Sequence, residues 1–316
     1  MLRIFPRPYP DELLYSIFVR YHVRSGNKDF EQTVKDLLGY ASQQLCGLTL
    51  PNNLNFLVKN LGLVSNWTVE SFIANNTLYS FYENFLTQPE AFLLRDLMRK
   101  KTGKPIFQVA RISVAEKNEA RQFLRFCTQC LEEDFQRYGE AYWHCLHQVP
   151  GVLVCPVHSL ILQESLVPLK EGYLDCHAAD LKNCLIEPDE IVHREDTLQQ
   201  LLAFTMDIIW LSSNDFSFKG LPWLRSRYQH YLVEREFMKV LPSKTFKFDG
   251  QKFADAIFDF CGQEFWNVVK PGLRPYAERY FTHCLLACDI TPAIDRVTHI
   301  ALIRFLSSSL KNFFKE

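Results

Sequence analysis

Apolar residues recur at helical spacing through the first hundred positions of the chain. One stripe at i, i+3, i+4 and i+7 consists of Leu14, Ile17, Phe18 and Tyr21. Because the preceding "FPRPYP" cannot be helical, we predict a helix that begins near Pro10 or Asp11 and stops at "SGN", residues 25–27. Asp11 and Glu12 would then favour its positive end. Further helices are predicted at about 30–38, 53–62, 68–74, 78–86 and 88–101.

The pattern changes after Arg125 and returns to helical near Thr197. Between them, "GVLVC" and "LILQESLVPL" have the alternation of short strands. The last third predicts helices in "TLQQLLAFTMDIIWLSS", "LPWLRSRYQHYLVEREF", "GQKFADAIFDFCGQEFWNVV", "RPYAERYFTHCLLAC" and "THIALIRFLSSSLKNFF". We therefore predict a mainly α protein with a helix-turn-helix-like N-terminal domain (1–120), a small zinc-ribbon-like insert with short strands (121–195) and a C-terminal helical domain (196–316). Short helices joined by short turns also suit helical domains that bind no nucleic acid.

The composition is that of a water-soluble globular protein. Of 316 residues, 47% are apolar and 22% charged, so a core without disulfides is expected. No opening leader and no run of about 18 apolar residues is present, which predicts a cytoplasmic protein without a membrane partner. Ten cysteines in a reducing compartment suggest metal ligands or buried small side chains.

A net charge of −1 conceals a segregation of charge along the chain. Residues 94–125 carry nine bases against three acids, and residues 218–252 carry eight against three. Residues 128–200 carry thirteen acids against four bases. We therefore expect phosphate contacts on the two flanking segments, because the acidic middle would repel them.

Two ligand pairs in the middle segment have the spacing of a zinc site. Cys127 and Cys130 form Cys-x2-Cys, and Cys155 and His158 form Cys-x2-His after an intervening loop. Three thiolates and an imidazole close the coordination shell, which favours structural over catalytic zinc. The His-x-Glu of zinc deaminases is missing upstream of Cys127, and His-Glu-x-x-His does not occur. The sequence thus predicts Zn²⁺ in a non-enzymatic role.

A second cluster is less regular. Cys176, His177 and Cys184 are candidates for another zinc site, but buried cysteines and a surface histidine explain them equally well. The fourth ligand would come from His144, Cys145, His147 or His193. Four further cysteines fall on apolar helical faces and are interpreted as core: Cys46, Cys261, Cys284 and Cys288.

The basic, aromatic segment "WLRSRYQHYLVEREFMK" offers a candidate nucleic-acid contact. Its candidates are Arg225, Arg227, Arg235 and Lys239, together with Tyr228, His230 and Tyr231. A solvated helix face with snorkelling arginines is the simpler alternative.

Several motifs together resemble the TniQ/TnsD family, the target-selection proteins of heteromeric bacterial DNA transposition systems. The opening "FPRPYPDELLYS" with "RYHVRSGN" is similar to that family's start. "FCTQCLEEDFQRYGEAYW" followed by "HQVPGVLVCPVH" resembles its Cys-Cys-Cys-His motif. Thr128 and Cys145 depart from the usual Pro and basic residue. The strong resemblance covers about residues 5–165.

This resemblance implies an adaptor without catalysis of its own. It would link a DNA target, or a CRISPR-guided Cascade-type complex, to the AAA+ regulator TnsC and so to the transposase. Long family members that read DNA directly carry a further C-terminal part, so the end of this chain favours the guided adaptor. The sequence leaves open whether the chain forms a homodimer.

The segregation of charge supports a division of labour between the parts of this adaptor. We expect Phe5, Tyr9 and Tyr15 to contact the regulator, and the zinc region to orient the two helical parts. Phosphate contacts would come from Arg99, Lys100, Lys101 and Lys104, or from the segment with Arg225 to Lys239. Two alternatives stay open, which are a stand-alone helix-turn-helix regulator and a zinc hydrolase or nuclease.

Overall fold

The computed structural model of the chain describes residues 2, 4–40, 49–62, 66–102, 106–112, 123–169, 176–186, 195–214, 218–243, 246–287 and 294–315. The predictions made for Cys46, Lys104, His193 and Cys288 lie outside these residues.

The N-terminal region is built from short helices. They are α1 (Leu14–Ser25), α2 (Phe30–Leu38), α3 (Leu54–Leu61), α4 (Val69–Asn76), α5 (Tyr79–Glu83), α6 (Gln88–Arg99) and α7 (Ile106–Val109). Local signals fix several ends: the Asp29 side chain caps α2, and Thr68 with Ser71 forms a capping box at α4. The five helices predicted between residues 30 and 101 are confirmed to within a few residues.

The prediction that α1 begins near Pro10 or Asp11 is wrong. The helix begins at Leu14, and Asp11 adopts a positive φ of 56°. The reason is tertiary pairing, since Glu12 forms an isolated bridge with His144 and the Leu13 amide donates to the Trp143 carbonyl at 2.8 Å. The segment before α1 is therefore extended and attached to the middle region.

The middle region contains β1 (Phe123–Phe126), α8 (Thr128–Tyr138), a 3₁₀ turn (Leu146–Gln148) and β2 (Gln163–Pro168). The strands are antiparallel, with Phe126 opposite Gln163 and Arg125 opposite Glu164. "GVLVC" contributes one isolated bridge, between Val154 and Ile161, rather than a strand. Helix α8 was not predicted, because most of its residues are polar and it presents few apolar positions.

The C-terminal region is helical, with one hairpin. Its elements are α9 (Glu195–Ser213), α10 (Leu221–Glu234), β3 (Met238–Val240), β4 (Phe246–Phe248), α11 (Gly250–Cys261), α12 (Gln263–Val269), a 3₁₀ turn (Arg274–Tyr276), α13 (Ala277–Leu286), α14 (Arg296–Ser307) and α15 (Leu310–Lys315). Two predicted helices are each split in two. Gly262 at φ 86° separates α11 from α12, and Ser308 at φ 62° separates α14 from α15.

The three regions share buried side chains. Gly151 of the middle region lies against Phe204 and Ile208 of α9. The buried Arg296, at the start of α14, donates to the carbonyls of Tyr82 and Ala110. The mainly α fold class with a small stranded insert is confirmed, whereas the exact domain boundaries stay a prediction.

Across the described ranges, none of the helices combines the length and the apolar content that a bilayer span requires.

Candidate metal centre

Two tight chain reversals present the four predicted ligands. Cys127 follows β1 directly, and Cys130 lies in the first turn of α8. Cys155 and His158 belong to a turn in which the Ser159 amide donates to the Cys155 carbonyl and the Cys155 amide donates to the Leu160 carbonyl, both at 2.8 Å. Ser159 closes this turn at a φ of 56°. The pairing of Val154 with Ile161 and of β1 with β2 brings the two reversals together.

The ligand atoms have the spacing of a tetrahedral site. The Nδ1 atom of His158 lies 3.4 Å from Sγ of Cys127, 3.3 Å from Sγ of Cys130 and 3.7 Å from Sγ of Cys155. The sulfurs of Cys130 and Cys155 are 3.7 Å apart, and all four atoms lie within 4.8 Å of one another. Bonds of about 2.3 Å to sulfur and about 2.0 Å to nitrogen place tetrahedral zinc ligands roughly 3.5–3.8 Å apart. The residues therefore fit Zn²⁺.

The imidazole is held in the orientation that a metal requires. Its Nδ1 points at the three sulfurs, while Nε2 lies 3.1 Å from the Glu133 carboxylate. A carboxylate at the outer nitrogen fixes the proton there and leaves Nδ1 free to bind a cation. Glu133 is a residue of α8, so the same helix provides Cys130 and the support for His158.

The three thiols perturb one another strongly. Hydrogen bonds from Cys127 and Cys130 lower the pKa of Cys155 far below its ordinary value. The hydrogen bonds that Cys130 makes to Cys127 and Cys155, together with burial, raise its pKa far above the ordinary range. A divalent cation allows all three thiols to ionise, which is the donor set that zinc prefers.

His147 is buried beside the centre. Its Nε2 lies 3.9 Å from Sγ of Cys130, and burial lowers its pKa. Because three sulfurs and His158 already complete a tetrahedron, His147 contacts the ligand set from outside.

The structure adds a network that sequence reasoning missed. The Arg20 guanidinium donates to Glu12 at 2.7 Å and to Glu140 at 2.8 Å, and lies 3.7 Å from the centroid of the Tyr9 ring. Arg24 also donates to Glu140. This network attaches α1 to the loop after α8. Gly139 and Glu140 belong to no recognisable sequence motif. The pairing of Glu140 with Arg20 could therefore not be predicted from the sequence.

Burial and charge compete in this network. Burial raises the pKa of Glu12 to about 7 in spite of its pairing with Arg20. At Glu140, hydrogen bonds from Tyr9 and Arg20 outweigh burial and lower the pKa of the carboxyl. His144 lies nearby between two carboxylates, with Nε2 2.9 Å from Asp134 and Nδ1 3.7 Å from Asp11. Burial opposes its charge, but the two carboxylates prevail and raise its pKa to about 9.

The candidate second metal site gains no support from the described residues. Among these residues, one group of at least three His, Cys, Asp or Glu side chains lies close enough together to hold an ion. It consists of the four ligands described above. Cys184 is buried, which raises its pKa to about 12, and the His177 carbonyl accepts the Trp143 indole. Cys145 is buried with its thiol directed to the Asn75 carbonyl. A site with Cys176, His177 and Cys184 stays a prediction.

Most of the predicted phosphate contacts are occupied within the chain. Arg99 pairs with Glu70, Lys100 pairs with Asp96, and Lys101 lies 6.0 Å from the Tyr40 ring. On α10, Arg227 donates to the Phe313 carbonyl, and Arg225 is half-buried with its Nε atom enclosed. Arg235, just after α10, donates to the Phe305 carbonyl. Lys239 is exposed on β3.

The three aromatic residues predicted to contact a partner differ in exposure. Tyr15 is only 3% exposed, and its hydroxyl accepts from the His177 amide, so it offers no surface to a partner. Phe5 is half-buried against Trp67 and Phe72, and Tyr9 is half-buried against Tyr138.

The fold and the centre together define a mainly helical protein in which three cysteines and one histidine form a cluster that could hold a metal ion such as zinc. A family model described as TniQ matches residues 3–162, which is half of the chain and includes all four ligands. The chain therefore belongs to the TniQ family. The resemblance inferred from the opening segment and the Cys-Cys-Cys-His motif is confirmed.

One curated relative is transposon Tn7 transposition protein TnsD of Escherichia coli. It is 27% identical over 164 residues, which are 51% of this chain and 31% of that protein. The chain thus aligns with less than a third of the length of this relative.

Proposed function

We propose that the chain is a non-enzymatic target-selection adaptor of a heteromeric DNA transposition system. It links target DNA, or a Cascade-type guide RNA complex, to an AAA+ regulator of the TnsC kind and through it to the transposase. Family membership gives the process, since the match covers the N-terminal helices and the metal centre.

The closed ligand set is the observation that carries the adaptor role. Three sulfurs and Nδ1 of His158 fill a tetrahedron, and a catalytic zinc needs a position for water or substrate. His147 is buried and in contact with Cys130, so it takes no place in a substrate cleft. Bound zinc would supply folding free energy at this centre rather than Lewis acidity.

The metal centre would act by holding the N-terminal segment in place. Glu12 pairs with His144, and Arg20 reaches Glu140, so residues of the zinc region fix the course of residues 4–13. Ile4 is 43% exposed on this segment, next to the half-buried Phe5. We assign the regulator contact to this exposed side of the segment. Phe5 and Tyr9 are the aromatic residues that contribute to it.

A parallel pull-down tests this function. The purified chain is presented with the AAA+ regulator, a Cascade-type complex and bare duplex DNA. We expect retention of the regulator, together with at least one of the two target forms. Ile4→Asp should reduce retention of the regulator at least tenfold. Met206→Asp is the matched control, because Met206 is also exposed and lies on α9.

Other outcomes of these experiments would place the chain in another functional class. A palindromic footprint from the chain alone, without retention of the regulator, indicates a stand-alone DNA-binding regulator. Three protein ligands plus a metal-bound water, with hydrolysis of a phosphodiester or peptide substrate, indicate a zinc hydrolase.

A further inference from the structure

We infer that the β3–β4 hairpin is a wing that holds backbone phosphates of duplex DNA with Lys239 and Lys247. This inference rests on the proposed function, because it names the DNA-contact surface of the adaptor. It keeps Lys239, the last residue of the segment that the sequence suggested, and adds Lys247 on the paired strand in place of the arginines of α10.

The hairpin presents two lysines side by side. The strands are antiparallel, and their register places Lys239 directly opposite Lys247. Both side chains are exposed. The residues on the other side of the ribbon anchor its base, since Met238 is buried opposite Phe248, and Phe248 packs against Phe253 of α11.

The two lysines repel each other across the ribbon. Like charges directly opposite each other destabilise a hairpin. Within the described part of the chain, neither lysine side chain forms an ion pair or a hydrogen bond. Residues 237–248 contain three lysines and no acidic residue. A bound polyanion would relieve this repulsion, which no described residue relieves.

The basic residues on α10 and just after it have a different role. Arg227 donates to the Phe313 carbonyl and lies over the Phe313 ring, and Arg235 donates to the Phe305 carbonyl. These arginines attach α10 to α14 and α15. These two arginines therefore form hydrogen bonds to carbonyls near the ends of neighbouring helices. The lysines of the hairpin, by contrast, are exposed to solvent.

The outer half of the hairpin combines charge with exposed apolar surface. Val240 lies opposite Phe246, and these side chains are 57% and 50% exposed on the ribbon face away from the lysines. A two-stranded ribbon fits a groove of duplex DNA, where phosphates line the rim and sugars and base edges line the walls. Such a groove engages both faces of the hairpin at once, whereas a flat acidic protein surface engages only the lysine face.

Salt-dependent binding to duplex DNA tests the wing. Binding of a labelled 30-base-pair duplex is followed by fluorescence anisotropy over a series of salt concentrations. Lys239→Gln with Lys247→Gln removes two phosphate contacts, so the slope of log K against log salt should fall in magnitude by about 1.8. Affinity at low salt should fall at least tenfold. Lys59→Gln with Lys182→Gln is the control, since both lysines are exposed and the net charge changes equally. It should leave the slope unchanged.

The outcomes separate this inference from the proposed function. An unchanged slope in the hairpin variant, with wild-type DNA binding intact, overturns the wing and leaves the adaptor role standing. If the hairpin variant no longer retains the regulator but still binds DNA, the wing is overturned in favour of a contact with an acidic protein partner. Absence of any DNA binding by the wild type overturns the wing, and retention of the regulator in the pull-down then decides whether the adaptor role survives. Zinc content and circular dichroism confirm that both variants are folded.

Discussion

The metal centre and the C-terminal region hold their shape by different means. Residues 127–158 form one helix of 11 residues and several turns, and four ligand atoms stand at their centre. The C-terminal region packs long helices through aromatic side chains, with Phe253 and Trp266 both in contact with Phe281. With a metal bound, the first would depend on a few directional bonds, whereas the second depends on buried apolar area.

The two regions should therefore respond oppositely to perturbation. Removing the metal should open the centre and leave the aromatic core intact. Removing an aromatic side chain should weaken the core and leave the metal bound.

The strongest test removes two ligands. Cys127→Ser with Cys130→Ser should abolish zinc binding, because two of four donors are lost, and zinc-dependent folding free energy is on the order of 10 kcal/mol in isolated fingers. We expect loss of zinc by elemental analysis and fast amide exchange across residues 127–158, with slow exchange retained in α11 and α13. Cys284→Ser, at another buried cysteine, should keep the zinc. Full zinc stoichiometry in the double variant would disprove the ligand assignment.

The reciprocal test removes a buried aromatic residue. Trp266 is 1% exposed and contacts Phe258, Phe265 and Phe281. Trp266→Ala should lower the free energy of unfolding by about 4 kcal/mol in urea denaturation, with zinc content unchanged. Tyr276→Ala, at a residue that is 53% exposed, should cost well under 1 kcal/mol. Loss of zinc from Trp266→Ala would show that the two regions are not separable.

The ion pairs at Glu140 connect the centre to α1. Arg20→Ala leaves the Glu12 carboxylate buried without its cation, which should lower the free energy of unfolding by about 3 kcal/mol. Arg24→Ala removes a more exposed cation from Glu140 and should cost less than about 1 kcal/mol. Urea denaturation of the two variants measures the difference. Equal costs would contradict the structural role given to the buried pair.

His144 predicts a pH dependence of stability. Its pKa of about 9 in the folded chain lies above the ordinary value of 6.5, so its contribution is full below pH 6.5 and is lost as the pH rises towards 9. We expect a loss of about 3 kcal/mol across this window, and His144→Gln should flatten that part of the profile. Urea denaturation at constant ionic strength provides the measurement. An unchanged slope in the variant would show that another group is responsible.

The sequence was most informative where signals are local. Asp29, Thr68 and the glycine at 39 mark helix ends through their own backbone chemistry, so the boundaries of α2 and α4 could be predicted closely. The two ligand pairs are also local signals, because each pair occupies a single turn. The geometry brings all four together as their spacing suggested.

The failures share a physical cause. Asp11 leaves the helix because its carbonyl accepts from the Cys145 amide, which is remote in the chain. Tyr15 was assigned to a surface from its aromatic character, but the His177 amide covers its hydroxyl. Arg227 was a candidate nucleic-acid contact, with a solvated helix face as the alternative, but it donates to the Phe313 carbonyl. Each of these contacts depends on a partner that only the folded chain brings near.

The bridge between Glu12 and His144 also sets an order of events during synthesis. Ser16 accepts from the Trp143 amide across 127 positions of chain, and Leu13 donates to the Trp143 carbonyl. On the ribosome, α1 can form early, but its entry segment has no partner until the residues beyond α8 have emerged. Residues 11–13 are therefore fixed only after residues more than a hundred positions later in the chain have been made.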